Sequence, residues 1–218
     1  MVMPLQGIRI LDLSQALAGP FATRMLGDLG AEIIKIEQPG TGDLTRNMGP
    51  HFLHGESSYF LGFNRNKKGI TLNLQKPEGR QVFYDLVKVS DVVFDNFRPR
   101  VLPRLGLEYE TLKAINPGVI SCSVSGFGQE GPYRDRPAFD GVTQAMGGVM
   151  SVTGEPGGPP LFSGFPIGDL GGSYAALVGI LSAVVKKKNT GEGSRIDISL
   201  LDVQVSLSSY LSQFYLFT

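Results

Sequence analysis

Apolar residues recur along the chain with two different periods. Short runs rich in β-branched residues alternate with longer stretches in which apolar residues return every three or four positions, as in strands and helices respectively. The short runs predict strands at residues 8–13, 31–37, 70–74, 91–96, 118–125 and 195–200. The longer stretches predict helices at residues 21–30, 77–88 and 109–115, one after Asp169 that ends near residue 185, and one that begins near residue 201. This alternation predicts an α/β fold with a mostly parallel sheet flanked by helices.

Glycine and proline mark the breaks between these elements. Gly30 follows the first helical stretch, and Pro77 suits the first turn of a helix, where its missing N–H costs nothing. Residues 126–166 are rich in both residue types and are predicted to be mostly loop, apart from a helix at residues 141–149.

Composition excludes several classes of protein. The 218 residues include 20 basic and 20 acidic side chains, and this balance gives no reason to expect nucleic acid or an anionic membrane as a partner. A polyanionic small ligand would need only a local basic patch. The single cysteine, Cys122, excludes an internal disulfide and is read as a buried small hydrophobe.

The N-terminal residues lead into the first strand without the features of a signal peptide. Every long apolar stretch is interrupted, so no membrane span is predicted. We therefore expect a soluble cytoplasmic protein.

Two motifs resemble binding motifs, but the residues around them argue against such a function. The segment GFGQEG, residues 126–131, matches the dinucleotide fingerprint, but Pro132 and Pro137 prevent the long helix that should follow it. His51 and His54 lie three apart with Glu56 nearby, but nothing else supplies the remaining metal ligands, and Pro50 and Gly55 favour a loop there. Neither a nicotinamide or flavin site nor a metal site is predicted.

Basic residues cluster at Arg65, Lys67 and Lys68, and again at Arg98, Arg100 and Arg104. Each cluster lies beside a predicted strand end, where open α/β sheets bind their ligands. Guanidinium groups match phosphate oxygens, so a phosphate-bearing ligand would explain the clusters. Solvated charged loops would explain them as well.

Asp169 lies between glycines just before a long apolar helix. Aspartate is a preferred N-cap, but Gly171 and Gly172 in the first turn are each unfavourable by about 1 kcal/mol relative to alanine. Glycines there would let a ligand approach the backbone and leave N–H groups free for an anion. The same end of the helix favours an ionised carboxylate, which can attack an activated carbonyl. Residue patterns alone leave capping and chemistry open.

Several linked motifs together resemble the family III coenzyme A transferases, which include formyl-CoA and carnitine CoA transferases and, as relatives, α-methylacyl-CoA racemases. The motifs run in one order from residue 5 to residue 215: GIRILDLSQALAGPFATRMLGDLGAEIIKIEQPGTGDLTR, NRNKKGITLNL, DNFRP, LGLEYETLKAINPGVISCSVSGFGQEGPY, FDGVTQAMGG and GDLGGSYAALVGI. The resemblance implies a Rossmann-like large domain that uses CoA as co-substrate, with no permanently bound cofactor and no metal.

The resemblance also implies roles for individual residues. Asp169 would be the nucleophile that forms first an acyl-aspartyl anhydride and then an aspartyl-CoA thioester. The CoA would be held by Gln15, Ala16, Leu17, Gln38, Leu72, Asn73, Gln75, Asn96, Phe97, Arg98, Arg104, Arg136, Pro137 and Phe139. Two positions depart from the family pattern. Gln38 replaces a frequent arginine, which puts one phosphate or adenine contact in doubt, and Phe139 stands where the racemases carry a catalytic histidine, which favours transferase over racemase.

The family chain is roughly twice as long and forms interlocked dimers. We therefore expect residues 1–199 to form the CoA-binding large domain and residues 200–218 to begin the helix toward an absent small domain. The expected partners are acyl-CoA and carboxylic acids, with a homodimer or a complementing C-terminal chain. A truncated fragment that binds CoA without turnover is the alternative.

Overall fold

The computed structural model describes residues 2–217. Its eight strands and nine α-helices in this range alternate as the sequence pattern predicts. The strands are β1 (Arg9–Asp12), β2 (Glu32–Glu37), β3 (Phe52–Leu53), β4 (Glu56–Ser57), β5 (Lys67–Thr71), β6 (Val92–Asp95), β7 (Ile120–Ser125) and β8 (Ser194–Ser199). The helices are α1 (Ala18–Asp28), α2 (Ser58–Asn64), α3 (Pro77–Lys88), α4 (Val101–Leu105), α5 (Tyr109–Ile115), α6 (Asp140–Met146), α7 (Ile167–Thr190), α8 (Leu200–Leu207) and α9 (Ser209–Leu216).

Six strands form one sheet in the order β5-β2-β1-β6-β7-β8, and every neighbouring pair in it is parallel. β3 and β4 form a separate antiparallel hairpin. The strand order runs outward from β1 to one edge and then from β6 to the other, which is the doubly wound Rossmann-like order. The predicted fold class is confirmed, and the order reverses between β1 and β6.

Two apolar layers cover the sheet. On one face Ile10, Phe94 and Cys122 pack against α1 and α7, whose Leu26 and Ile180 are buried. On the other face Leu11 and Val93 pack against α3, α4 and α5. Cys122 is fully buried, and burial raises the pKa of its thiol, consistent with a packing role.

Several elements differ from the sequence prediction. The strand expected at residues 70–74 lies at Lys67–Thr71, and residues 72–74 belong to the loop that follows it. His54 occupies the turn of the β3–β4 hairpin with φ of 49°, followed by Gly55 with φ of 86°. The predicted helix at residues 141–149 is present as α6.

The 24-residue helix α7 differs in its bounds and in its length. It begins two residues before Asp169 and ends five residues later than expected. By length and composition α7 is the one described helix that could cross a membrane. The sequence pattern predicts instead that no apolar stretch is long enough to do so. Here Ala176, Ile180, Ala183 and Val184 are buried against the sheet and α1, as in a core helix.

The predicted division between residues 199 and 200 falls at the junction of β8 and α8. Its meaning as a domain boundary stays a prediction. Met1 and Thr218, the outer limits of the two predicted segments, lie outside the described residues.

Candidate functional site

The carboxyl ends of the parallel strands share one edge of the sheet, and a connected set of cavities opens there. The largest, of about 400 Å³, lies over the ends of β1, β6, β7 and β8 and includes Asp169 in its wall. A second, of about 270 Å³, extends over the ends of β2 and β5 and shares Gln15, Phe97 and Val101 with the first. The site therefore lies at the point where the strand order reverses, the usual ligand site of this architecture.

Thirteen of the fourteen residues assigned to CoA by resemblance line these cavities or the adjoining small one of about 60 Å³. The largest cavity is lined by Gln15, Ala16, Leu17, Asn96, Phe97, Arg98 and Phe139, and the second adds Gln38, Leu72, Asn73, Gln75 and Arg104. Arg136 lines the small one, while Pro137 is exposed beside it without lining any of the three. Their role in binding stays a prediction.

The loop after β1 is tied to the loop after β6. The Gln15 backbone N–H donates to Asn96 Oδ1 at 2.9 Å, and Asn96 Nδ2 donates to the Gln15 carbonyl at 2.7 Å. Ala16 adopts φ of 63°, a left-handed conformation that is uncommon for alanine and is found most often at functional loops. These hydrogen bonds fix the positions of the two loops relative to each other, and both loops form walls of the largest cavity.

Buried ion pairs support the same loop from below. Lys35 Nζ lies 2.8 Å from Asp43 Oδ2 and donates to the Ser14 carbonyl at 2.7 Å. Lys67 Nζ lies 2.9 Å from Asp12 Oδ2, and both side chains are at most 2% exposed. Burial alone would raise the pKa of Asp12, but Lys67 and Lys35 together with neighbouring hydroxyls hold it far below its ordinary value.

Sequence reasoning missed this ionic network. A usable signal was Lys35, a charge in the middle of the apolar strand EIIKIE, because a lysine at a buried strand position requires a partner.

The two predicted basic clusters divide according to their partners. Arg65 and Lys68 pair with Asp28 and Glu32 near the amino ends of the strands, and Lys67 is buried on Asp12. Arg100 forms a bidentate pair with Asp135, at 2.8 and 2.7 Å. The first cluster therefore forms ion pairs within the chain. It does not lie at the end of a strand as expected, because β5 begins there.

Three arginines remain unpaired at the cavities. Arg98, Arg104 and Arg136 are exposed, and none of them forms an ion pair with another residue in the range 2–217. Arg136 stacks over Tyr133, with its guanidinium carbon 4.2 Å from the ring centroid. Unpaired guanidinium groups around an open cavity suit a ligand that carries phosphates.

Asp169 is not the cap of α7. The helix begins at Ile167, and the cap is provided by Asp140 on α6, whose Oδ1 accepts from the N–H of Gly168 at 2.7 Å and of Asp169 at 3.1 Å. The Asp169 carboxylate itself has no hydrogen-bond or ion-pair partner among residues 2–217, and it faces the largest cavity. This settles the question of capping that the residue pattern left open.

The expectation that Asp169 is ionised is corrected by the structure around its side chain. Burial, and secondarily the charge of Asp140, raise the pKa of Asp169 to about 7. Burial and the charges of Asp169 and Asp43 also raise the pKa of Tyr59 on α2 to about 12. A carboxylate of raised pKa is a stronger nucleophile once it is ionised.

Gly171 and Gly172 serve helix packing rather than ligand access. A Cβ on Gly171 would lie 2.8 Å from Val203 Cγ1 of α8, and one on Gly172 would lie 2.5 Å from Leu200 Cδ2. The anion-binding expectation is therefore wrong for these glycines, and the N–H groups of the first turn are already engaged by Asp140.

The other two motifs do not form the dinucleotide and metal sites that their patterns suggest, although Gly126 lines the largest cavity. No helix begins at residues 126–131, where the Gln129 N–H donates to Asp197 Oδ2 at 2.9 Å. His51 precedes the small hairpin and His54 lies in its turn. No group of three or more His, Cys, Asp or Glu side chains in the described chain is arranged to hold a metal ion.

Comparison with known proteins decides the family. The sequence model of CoA-transferase family III matches residues 5–218. The chain belongs to this family. It is 44% identical over 215 residues to the succinyl-CoA:glutarate CoA-transferase of Homo sapiens, covering 99% of this chain and 49% of that protein. It is 46% identical over 200 residues to the acetyl-CoA:oxalate CoA-transferase of Acetobacter aceti, covering 91% of this chain and 51% of the relative.

A solved structure has the same fold. The crystal structure of a CAIB/BAIF family protein from Brucella suis matches with a TM-score of 0.94 and 40% identity, over 99% of this chain and 58% of that one. The chain thus spans about half the length of the CoA transferases it resembles in sequence.

Proposed function

We propose that this chain is the CoA-binding, nucleophile-bearing part of an enzyme that transfers CoA from an acyl-CoA thioester to a carboxylic acid. The observation that carries the proposal is Asp169, whose carboxylate has no hydrogen-bond or ion-pair partner in the described part of the chain and opens on a cavity at the sheet switch point. Three unpaired arginines border the same set of cavities and suit the phosphates of CoA.

Each step of the transfer balances. Ionised Asp169 attacks the thioester carbonyl, the C–S bond breaks, and CoA leaves as a thiolate. The thiolate then attacks the aspartyl carbonyl, and the donor acid leaves as a carboxylate. The acceptor carboxylate attacks the aspartyl-CoA thioester, and the released thiolate takes the new acyl group from the anhydride, which restores Asp169. The thioester energy stays in covalent form throughout, so no ATP is required.

The transferase proposal is favoured over a racemase by Phe139. A racemase needs two bases to move a proton across the α-carbon. The Phe139 ring lines the cavity with Asp169 and is 76% exposed, yet it cannot accept a proton. Rapid exchange of the α-proton of a 2-methylacyl-CoA in deuterated water would reverse this ranking.

The substrate class comes from the relatives. The names of the two relatives give glutarate and oxalate as acids that receive or exchange CoA, and both are dicarboxylic acids. We propose short dicarboxylic acids as acceptors here, and a matching second half or partner chain as the source of the remaining walls of the site.

Transfer is tested by intact-mass spectrometry of the chain after exposure to succinyl-CoA or acetyl-CoA. The expected result is a covalent acyl or CoA adduct on Asp169 that hydroxylamine removes, with transfer to glutarate or oxalate once a complementing C-terminal chain is added. If CoA binds but no adduct forms with either thioester, with or without that chain, the protein is a CoA-binding fragment and the transferase proposal fails.

CoA binding is tested at Arg104. We expect Arg104→Ala to weaken CoA affinity by about tenfold, because one charge-assisted phosphate contact is lost. Calorimetric titration at two salt concentrations measures this loss and its salt dependence. The matched control is Arg65→Ala, which removes an arginine paired with Asp28 away from the cavities. Equal affinity loss in both variants would contradict the proposed phosphate site.

A further inference from the structure

Asp140 is a buried carboxylate directly behind the nucleophile candidate. It is 7% exposed, and its Oδ1 accepts the N–H groups of Gly168 and Asp169 at 2.7 and 3.1 Å. These are the second and third residues of α7, a 24-residue helix whose own N-cap, Pro166, offers no side-chain acceptor. One side chain from another helix therefore fixes the turn that carries Asp169.

The position of Asp140 is itself fixed. Gln144 Nε2 donates to Asp140 Oδ2 at 2.6 Å, and Gln144 Oε1 accepts from the Ser163 N–H at 3.1 Å. Gln144 is fully buried. A Cβ at Gly168 would lie 2.9 Å from Asp140 Oδ1, so only glycine lets α7 approach this carboxylate so closely. Such packing leaves the Asp140 carboxylate little freedom to turn away.

Few ionisable groups surround Asp169. Asp140 lies behind it on α6, Tyr59 beside it on α2, and Arg98 across the cavity. On α8, the charge of Asp202 contributes to the raised pKa of Asp197 rather than to that of Asp169. Arg24 on α1 is engaged with Asp28 and the Phe21 ring. The nearest negative charge behind the nucleophile is thus that of Asp140.

We propose that Asp140 is a positioning residue for the transfer reaction: its carboxylate holds the first turn of α7 so that Asp169 faces the cavity, and it keeps a negative charge behind the nucleophile. The chemical part of this inference rests on the proposed function. The structural and electrostatic part stands without it.

The charge has a consequence for the covalent step. Before attack, the Asp140 carboxylate accepts the Asp169 N–H at the start of α7, and its charge repels that of the ionised Asp169 carboxylate. When Asp169 forms a bond to the acyl carbon and the C–S electron pair leaves with the thiolate, Asp169 becomes a neutral anhydride and the negative charge moves to the CoA sulfur. Repulsion from Asp140 is relieved, which favours formation of the adduct.

The first test measures ionisation without any turnover. Carbon-13 NMR of protein labelled at the aspartate carboxyl carbons follows Asp169, assigned with the Asp169→Asn variant. In Asp140→Asn the side-chain oxygen still caps α7 while the charge is removed. We expect the pKa of Asp169 to fall by about 1 unit or more. The matched control Asp85→Asn, at an exposed position on α3, should leave the pKa of Asp169 unchanged. An unchanged pKa in Asp140→Asn would reduce Asp140 to a structural cap.

A measurement on the unaltered protein covers the case in which Asp140→Asn does not fold. If the two carboxylates interact, the Asp140 signal must show an inflection at the pH where Asp169 titrates. An Asp140 signal that does not change as Asp169 ionises would overturn the proposal.

The second test follows the rate of adduct formation with succinyl-CoA against pH. We expect Asp140→Asn to shift the rising limb of the profile to lower pH and to lower the plateau by about tenfold. Asp140→Ala, which also loses the cap, should lower the melting temperature as well. If the unaltered protein forms no adduct while the NMR shift in Asp140→Asn is present, the proposed function fails and the electrostatic role of Asp140 stands.

Discussion

Replacing Asp169 with asparagine is expected to reduce adduct formation from acyl-CoA by a factor on the order of 10⁴ or more, because an amide cannot form the anhydride. Intact-mass spectrometry after exposure to succinyl-CoA measures this loss. CoA affinity should change little, since the unpaired arginines of the cavities remain in place.

The matched control is Asp202→Asn, another aspartate in the first turn of a helix, α8, but exposed and outside the cavity wall. This variant should form the adduct at the rate of the unaltered protein. An undiminished yield of adduct in Asp169→Asn would remove Asp169 from the role of nucleophile.

The same variant is expected to be more stable above neutral pH. The folded-state pKa of Asp169 is raised from 3.8 to about 7, so the protonated carboxyl is favoured in the folded state. Below pH 4 both states are protonated and ionisation has no effect. Between about pH 4 and pH 7 the unfolded state ionises while the folded state keeps its proton, so the folded state loses stability by about 2 kcal/mol in all, allowing for partial exposure, and the loss is complete above pH 7.

Thermal unfolding at pH 4 and pH 8 checks this expectation. Near pH 4 the melting temperature of Asp169→Asn should equal that of the unaltered protein. At pH 8 it should be several degrees higher. If the stability of the variant relative to the unaltered protein falls between pH 4 and pH 8, the raised pKa of Asp169 is contradicted.

Replacing Asp12 with alanine is expected to produce the largest loss of stability. The substitution leaves the Lys67 ammonium buried without its carboxylate at 2.9 Å and removes the shortest of the hydrogen bonds that the Thr23 hydroxyl donates. Breaking a buried pair in this way costs about 3–5 kcal/mol in the free energy of unfolding. Urea denaturation measures this loss. CoA affinity should fall as well, since Asp12 also accepts the Ser14 N–H at the start of the Gln15 loop.

The control for Asp12→Ala is Asp28→Ala, which breaks the exposed pair with Arg65 and should cost less than about 1 kcal/mol. The double variant Asp12→Ala with Lys67→Met removes both charges and should recover part of the loss. Equal destabilisation by the two single variants, or no recovery in the double variant, would show that the buried pair does not support the loop.

The order of elements could be read from the sequence because it depends on local patterns. Runs of β-branched residues and helical periodicity placed five of the six strands of the sheet and the main helices. The strand at Lys67–Thr71 was misplaced, because Lys67 and Lys68 conceal its start and the apolar residues 72 and 74 belong to the cavity wall.

The resemblance supplied Asp169 and the candidate CoA residues, although they lie in six separate segments of the chain. The parallel sheet brings these segments together because all six strands end at the same edge. Pro137 is the exception that lines no cavity, and the binding role of the others awaits the tests described above.

The sequence by itself determined the α/β class, the family and the presence of a carboxylate before the long helix. Only the tertiary structure decided what that carboxylate does locally, because the cap of α7 comes from Asp140, 28 residues away from Gly168. It likewise assigned Gly171 and Gly172 to packing against α8, and paired Lys35 with Asp43 and Lys67 with Asp12. Capping, burial and charge pairing depend on neighbours in space, and a one-dimensional pattern records only neighbours along the chain.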